Sequence, residues 1–116
     1  MKYLWLSLVV LFPNLSFAEE QFPVRGIGAS SCGQFLEDQS NPDMKSMQVS
    51  WAQGFLSGLN LADAQSGKDF VMLPDDSTIT LYVSNYCTKN PLERPIGGAR
   101  ALYQELRARQ VKVSRP

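Results

Sequence analysis

The clearest periodicity in the chain lies between residues 43 and 64. Met44, Met47, Trp51, Phe55 and Leu59 recur every three or four positions, and Ala52 and Leu56 widen the stripe, which predicts a long amphipathic helix. Asp43 follows Pro42 and is placed to cap its start, and the helix is expected to end near Ala64, ahead of Gly67. Beside the stripe runs a line of small residues, Ser50, Gly54, Ser57 and Gly58. Glycine inside a helix costs about 1 kcal/mol relative to alanine, so Gly54 and Gly58 predict the close approach of a second helix. Gln48, Gln53 and Asn60 interrupt the segment and exclude a membrane-spanning version of that packing.

Three further helices follow from the same pattern. Cys32, Phe35 and Leu36 share one face of a short helix that starts at Ser31 and stops between Gln39 and Pro42. Residues 78–83 fit a strand by their alternation and β-branching. They also fit a helix whose stripe is Ile79, Val83, Tyr86 and Cys87, with Tyr82 beside it. The start signal Asp75-Asp76-Ser77 and the stop at Asn90-Pro91 favour the helix. Pro95 opens the last helix, with Ile96, Ala99, Leu102, Tyr103 and Leu106 on one side and Glu105 and Arg109 one turn apart. Residues 66–74 form a loop carrying the apolar run Phe70, Val71, Met72 and Leu73, either a buried connection or a short exposed strand. Residues 19–30, punctuated by Pro23, Gly26, Gly28 and Ser30, read as a flexible lead-in, and residues 111–116 as a frayed tail.

The N-terminus changes the setting of this domain. Lys2 precedes an apolar run over residues 3–12, Pro13 and Asn14 break it, and Ser16-Phe17-Ala18 presents small residues where a signal peptidase reads. The run is well short of the ~20 apolar residues that span a bilayer. Residues 1–18 are therefore read as a secretory signal cleaved after Ala18, which places the mature protein in the periplasm. The organisation is a signal at 1–18, a lead-in at 19–30, one helical domain at 31–110 and a tail at 111–116. In an oxidising compartment the chain's two cysteines are expected to pair as Cys32–Cys87; two separate buried thiols are the alternative. The fold class is all-α, a four- to five-helix single domain held by that disulfide.

Charge and composition narrow the function. Eleven basic residues balance eleven acidic ones, and loss of Lys2 leaves one acid in excess. No basic surplus attracts phosphate backbones, so nucleic acid is excluded as a partner. The chain has no histidine, which removes Ser-His and Cys-His nucleophile pairs and imidazole zinc ligands. Gly26-Ile27-Gly28 lacks the third glycine and the strand-then-helix setting of a nucleotide loop. Asp43, Asp75 and Asp76 read as helix caps rather than as an acid/base pair. No catalytic residue, cofactor or metal is expected, and the reading is a binding protein, not an enzyme. Trp51 and Phe55, on the periodic stripe, are core by default. Any of them that is exposed joins Tyr82, Phe70, Val71, Met72 and Leu73 as candidate partner surface.

Three stretches carry a resemblance: Ser31-Cys32-Gly33-Gln34-Phe35-Leu36, Trp51-Ala52-Gln53-Gly54-Phe55-Leu56-Ser57-Gly58 and Ser84-Asn85-Tyr86-Cys87-Thr88-Lys89-Asn90-Pro91. In order and spacing they resemble the small exported helical proteins of the HdeA/HdeB acid-stress chaperone type. That family opens with Cys-x-x-Phe-Leu, matched here by Cys32, Phe35 and Leu36, and Cys87 takes the place of its second cysteine. The resemblance implies a dimer, inactive at neutral pH, that opens in acid and binds unfolded clients. The Gly54–Gly58 segment and the Asn90-Pro91 turn are also similar to type VI secretion immunity proteins of the Rap/Tai type. Those usually carry a cysteine where this chain has Ala52. The partner is thus expected to be another protein: an unfolded client first, a secreted toxin second, a subunit of an envelope assembly third.

Overall fold

In the computed structural model, residues 24–113 are described, with side chains through residue 110. The signal at 1–18, the first part of the lead-in and the end of the tail lie outside the described residues.

The first helix, α1 (Cys32–Asp38), starts where Ser31 Oγ accepts the Gln34 N–H at 3.1 Å. In α2 (Pro42–Gln65) the cap is Asn41 rather than Asp43. Pro42 has no N–H to satisfy and suits the first helical position, so capping moves one residue upstream of it. The Asn41 carboxamide oxygen accepts from Asp43 N and Met44 N. At the far end Gly67, with φ 77°, turns the chain in the left-handed region, and Lys68 N and Gly67 N donate back to the carbonyls of Asp63 and Ala64. The ambiguous segment is helical, as α3 (Asp76–Lys89), with Asp75 Oδ1 accepting from Thr78 N at 2.8 Å. Its β-branched character is absorbed locally: Thr80, Ser84 and Thr88 each donate a hydroxyl to the carbonyl four residues back. Finally, α4 (Pro95–Val113) continues three residues past the expected boundary at 110. No strand occurs among the described residues, and the fold is an all-α four-helix domain.

The four helices enclose two touching apolar clusters. Ala52, Leu56, Val71, Ile79, Leu102 and Tyr103 form one; Cys32, Phe35, Val83, Cys87 and Ala99 form the other; the Trp51 indole packs against both. Cys32 and Cys87 are disulfide-bonded, joining the first turn of α1 to the last turns of α3 across a Cα–Cα distance of 4.9 Å. The Cys32 N–H also donates to the Glu93 carbonyl at 3.1 Å, fixing α1 to the α3–α4 turn.

Two packing expectations are corrected. The inward line of α2 is Gln48, Ala52 and Leu56, with Trp51, Phe55 and Leu59 flanking it, while Met47 is 55% exposed. The rotation follows from Gln48, whose buried amide donates to the Phe35 carbonyl at 2.9 Å and draws its own face inward. Gly54 and Gly58 consequently point outward, and a Cβ added to either meets no atom within 4 Å. Close approach occurs instead at Gly97 and Gly98, where a Cβ on Gly98 would lie 3.1 Å from the Tyr86 Cβ and ring. Gly58→Ala is therefore expected to stabilise the protein by about 0.5–1 kcal/mol, through helix propensity alone. Urea denaturation checks this, and a loss of stability would mean that the glycine face is packed after all.

Candidate partner surface

The loop between α2 and α3 is held like a short strand by side chains of two helices. Asn60 Nδ2 donates to the Val71 carbonyl at 2.9 Å and its Oδ1 accepts the Val71 N–H at 2.8 Å, copying the two bonds of a peptide partner. From α4, Gln110 Nε2 donates to the Phe70 carbonyl and Arg107 Nη1 to the Asp69 carbonyl. An extended segment gripped this way alternates its side chains. Val71 is buried and Leu73 packs on the core, whereas Phe70 is 61% and Met72 75% exposed. Of the expected apolar surface run, Phe70 and Met72 stand at the surface; Val71 and Leu73 do not, because alternation carries them under the loop.

Tyr82, Trp51 and Phe55 are likewise engaged rather than free. Tyr82 packs against the first cluster, and its hydroxyl donates to Glu105 Oε2 at 2.8 Å. The Trp51 and Phe55 rings stack at 5.3 Å, nearly parallel. Residues 24–30, expected to be a loose lead-in, cross over Trp51. Ile27–Ala29 forms a 3₁₀ turn, Gly28 is buried, and the indole N–H donates to the Arg25 carbonyl at 3.1 Å. A Cβ on Gly28 would fall 1.9 Å from the indole ring.

Sequence reasoning missed Leu61 and Leu81, each 61% exposed, and the fully exposed Leu92, and it placed Met47 on the buried side. A signal was present: no charged residue stands between Lys45 and Asp63, so the outward face of α2 could only be neutral. That face presents Met47, Ser50, Gly54, Ser57, Gly58 and Leu61, all exposed.

Two carboxylates tie α4 to its neighbours. Asp63 on α2 accepts the Tyr103 hydroxyl at 2.7 Å and pairs with Arg107, whose guanidinium also lies 5.6 Å from the Tyr103 ring centre. The Tyr103 hydrogen bond first, and then Arg107, hold the Asp63 carboxyl below its ordinary value. Burial and the Asp63 carboxylate push the Tyr103 phenol upward. On the other side, Glu105 accepts from Tyr82 of α3 and pairs with Arg109 one turn on; Arg109 first, then Tyr82, lower its carboxyl. Among the described residues, each ion pair ends on Asp63 or Glu105. No group of three or more Cys, Asp or Glu among them is arranged to hold a metal.

One further buried group stands out. Gln48 Oε1 has no hydrogen-bond partner and borders a cavity of about 10 Å³ that Phe35, Trp51, Ile79, Val83 and Pro95 help to line. Compared with protein-family models, with curated proteins and with solved structures, the chain matches none.

Proposed function

We propose that this is an exported periplasmic protein that binds other proteins without catalysis, and that it loosens in acid to take up unfolded clients. The observation that carries the reading is that two of the ties joining α4 to α2 and α3 end on carboxylates, Asp63 with Tyr103 and Arg107, and Glu105 with Tyr82. Both carboxyls have folded values below their ordinary ones. Each therefore stabilises the fold above its unfolded value, near pH 4, and that contribution disappears as pH falls through the lower folded value. Asp75, lowered chiefly by the Thr78 N–H it caps, weakens the start of α3 over the same range. With no histidine in the chain, no side chain carries the switch at pH 5–6. Loosening belongs below about pH 4, and it bares the apolar faces that α4 covers, Leu102 and Tyr103 against Ala52, Leu56 and Val71.

The test compares wild type with Asp63→Asn/Glu105→Gln by dye binding to apolar surface from pH 2 to 7. Wild type should bind dye reversibly only below about pH 4. The double variant should bind it already at neutral pH and respond less to acid. Identical transitions in the two proteins would remove these carboxylates from the account.

A second reading has its own observation. Phe70, Met72, Met47 and Leu61 are exposed without any acid step. A neutral apolar surface of this kind suits a folded partner, such as a secreted toxin that the protein neutralises. Tight binding at neutral pH, with no client protection in acid, would favour it.

A further inference from the structure

Residues 24–30 form a strap over Trp51. Among the described residues, the one hydrogen bond that ties the strap to a helix runs from Trp51 Nε1 to the Arg25 carbonyl; Ser30 Oγ also reaches the adjacent Ser31 carbonyl, at 3.5 Å. The others, Ala29 N to Gly26 O, Ser30 N to Ile27 O and Ser30 Oγ to Ile27 O, close within the strap itself. The rest of its attachment is apolar: Ile27 packs against the cluster of Cys32, Phe35 and Val83, and Gly26 and Gly28 lie on the indole. A segment tied to the helices by one hydrogen bond opens at lower free energy than the helices beneath it. Its far end is anchored separately, by the disulfide and by Cys32 N on the Glu93 carbonyl, so opening of the strap leaves α1 in place.

The strap also shows what the surface beneath it accepts. The indole N–H takes a backbone carbonyl, the ring takes a residue with no side chain, and the adjoining apolar cluster takes an aliphatic side chain. We infer that the Trp51 face is a binding site for an apolar peptide segment containing glycine or another small residue, and that residues 24–30 occupy it as an internal stand-in. The incoming segment replaces the Arg25 carbonyl, Gly28 and Ile27 in turn. The inference rests on the protein-binding reading but not on acid activation, because the strap's hold on Trp51 involves no titrating group.

The experiment has two arms at neutral pH. In the first, hydrogen exchange of the wild-type protein follows the Trp51 indole N–H, whose bond to the Arg25 carbonyl exists only while the strap is closed. It should exchange at least tenfold faster than the α2 and α3 core amides, by local opening. Exchange at the rate of global unfolding overturns the inference. In the second arm, Gly28→Val places a side chain where a Cβ already meets the ring at 1.9 Å. The variant should keep its helical circular dichroism while Trp51, the sole tryptophan once residues 1–18 are removed, shifts its emission to the red. It should bind carboxymethylated α-lactalbumin, a permanently unfolded chain, about tenfold or more tightly than wild type, since binding no longer waits for the open fraction. A helical variant with exposed Trp51 and unchanged affinity overturns the inference. If the variant loses its helices, the exchange arm decides alone. Binding by the variant at neutral pH, with none by wild type in acid, supports the Trp51 site and refutes acid activation.

Discussion

Breaking the Cys32–Cys87 disulfide is expected to remove roughly 4 kcal/mol of stability, the largest effect of any single change in this protein. The bond spans a sequence separation of 55, so in the unfolded chain it closes a loop that takes in more than two thirds of the domain at 31–110. Both sulfurs are fully buried in the second cluster, where Phe35 of α1 also packs with Val83 of α3, and Gln39 Nε2 at the end of α1 donates to Ser84 Oγ. A domain of this size has a total stability of about 5–15 kcal/mol, so loss of the bond leaves it marginal. Urea denaturation of Cys32→Ser/Cys87→Ser beside wild type measures the change. Thiol labelling of unreduced protein should find no free thiol. Equal midpoints for the two proteins would show that α1 is held by packing alone.

Leu56→Ala is expected to cost about 3 kcal/mol. Leu56 is fully buried in the first cluster, with Val71, Ile79, Leu102 and Tyr103, so its truncation opens a cavity bounded by three elements that cannot all close in. Met47→Ala supplies the contrast. The stripe read from the sequence put Met47 in the core, but the fold leaves it at the surface, and its truncation should change stability by no more than about 0.5 kcal/mol. Thermal or urea unfolding of the two variants separates the two orientations of α2; comparable losses would restore the sequence-based stripe.

The helices were legible because their boundaries are chemical. Ser31, Asp75-Asp76, Pro95 and Gly67 mark starts and stops whatever packs on the helix between them. The disulfide followed from the expectation of export and an even cysteine count. The orientation of α2 was legible in part: Trp51, Ala52, Phe55, Leu56 and Leu59 pack inward as their spacing implied, but Met47 does not, because a buried glutamine, Gln48, reads as polar until its acceptor, the Phe35 carbonyl in another helix, is known. The glycines misled for a related reason. Spacing within one helix shows that Gly54 and Gly58 share a face but not which way the face points, and the pair that does accept a neighbour, Gly97 and Gly98, is adjacent rather than spaced. The strap was invisible because nothing local marks residues 24–30 as packed; only Trp51, far along the chain, gives Gly28 its place. The surface run was half legible: Phe70 to Leu73 was apolar in sequence, but the alternation that divides it comes from Asn60 and the α4 side chains.

The account turns on whether acid makes this protein a client binder. The direct measurement is light scattering of a denaturing client protein across pH 2–7, with and without the disulfide-intact mature chain, and with dye binding recorded in parallel. The account predicts suppression of aggregation that sets in below about pH 4, together with dye binding, and that reverses on neutralisation. A protein that stays closed at pH 2, or that opens without protecting the client, contradicts it.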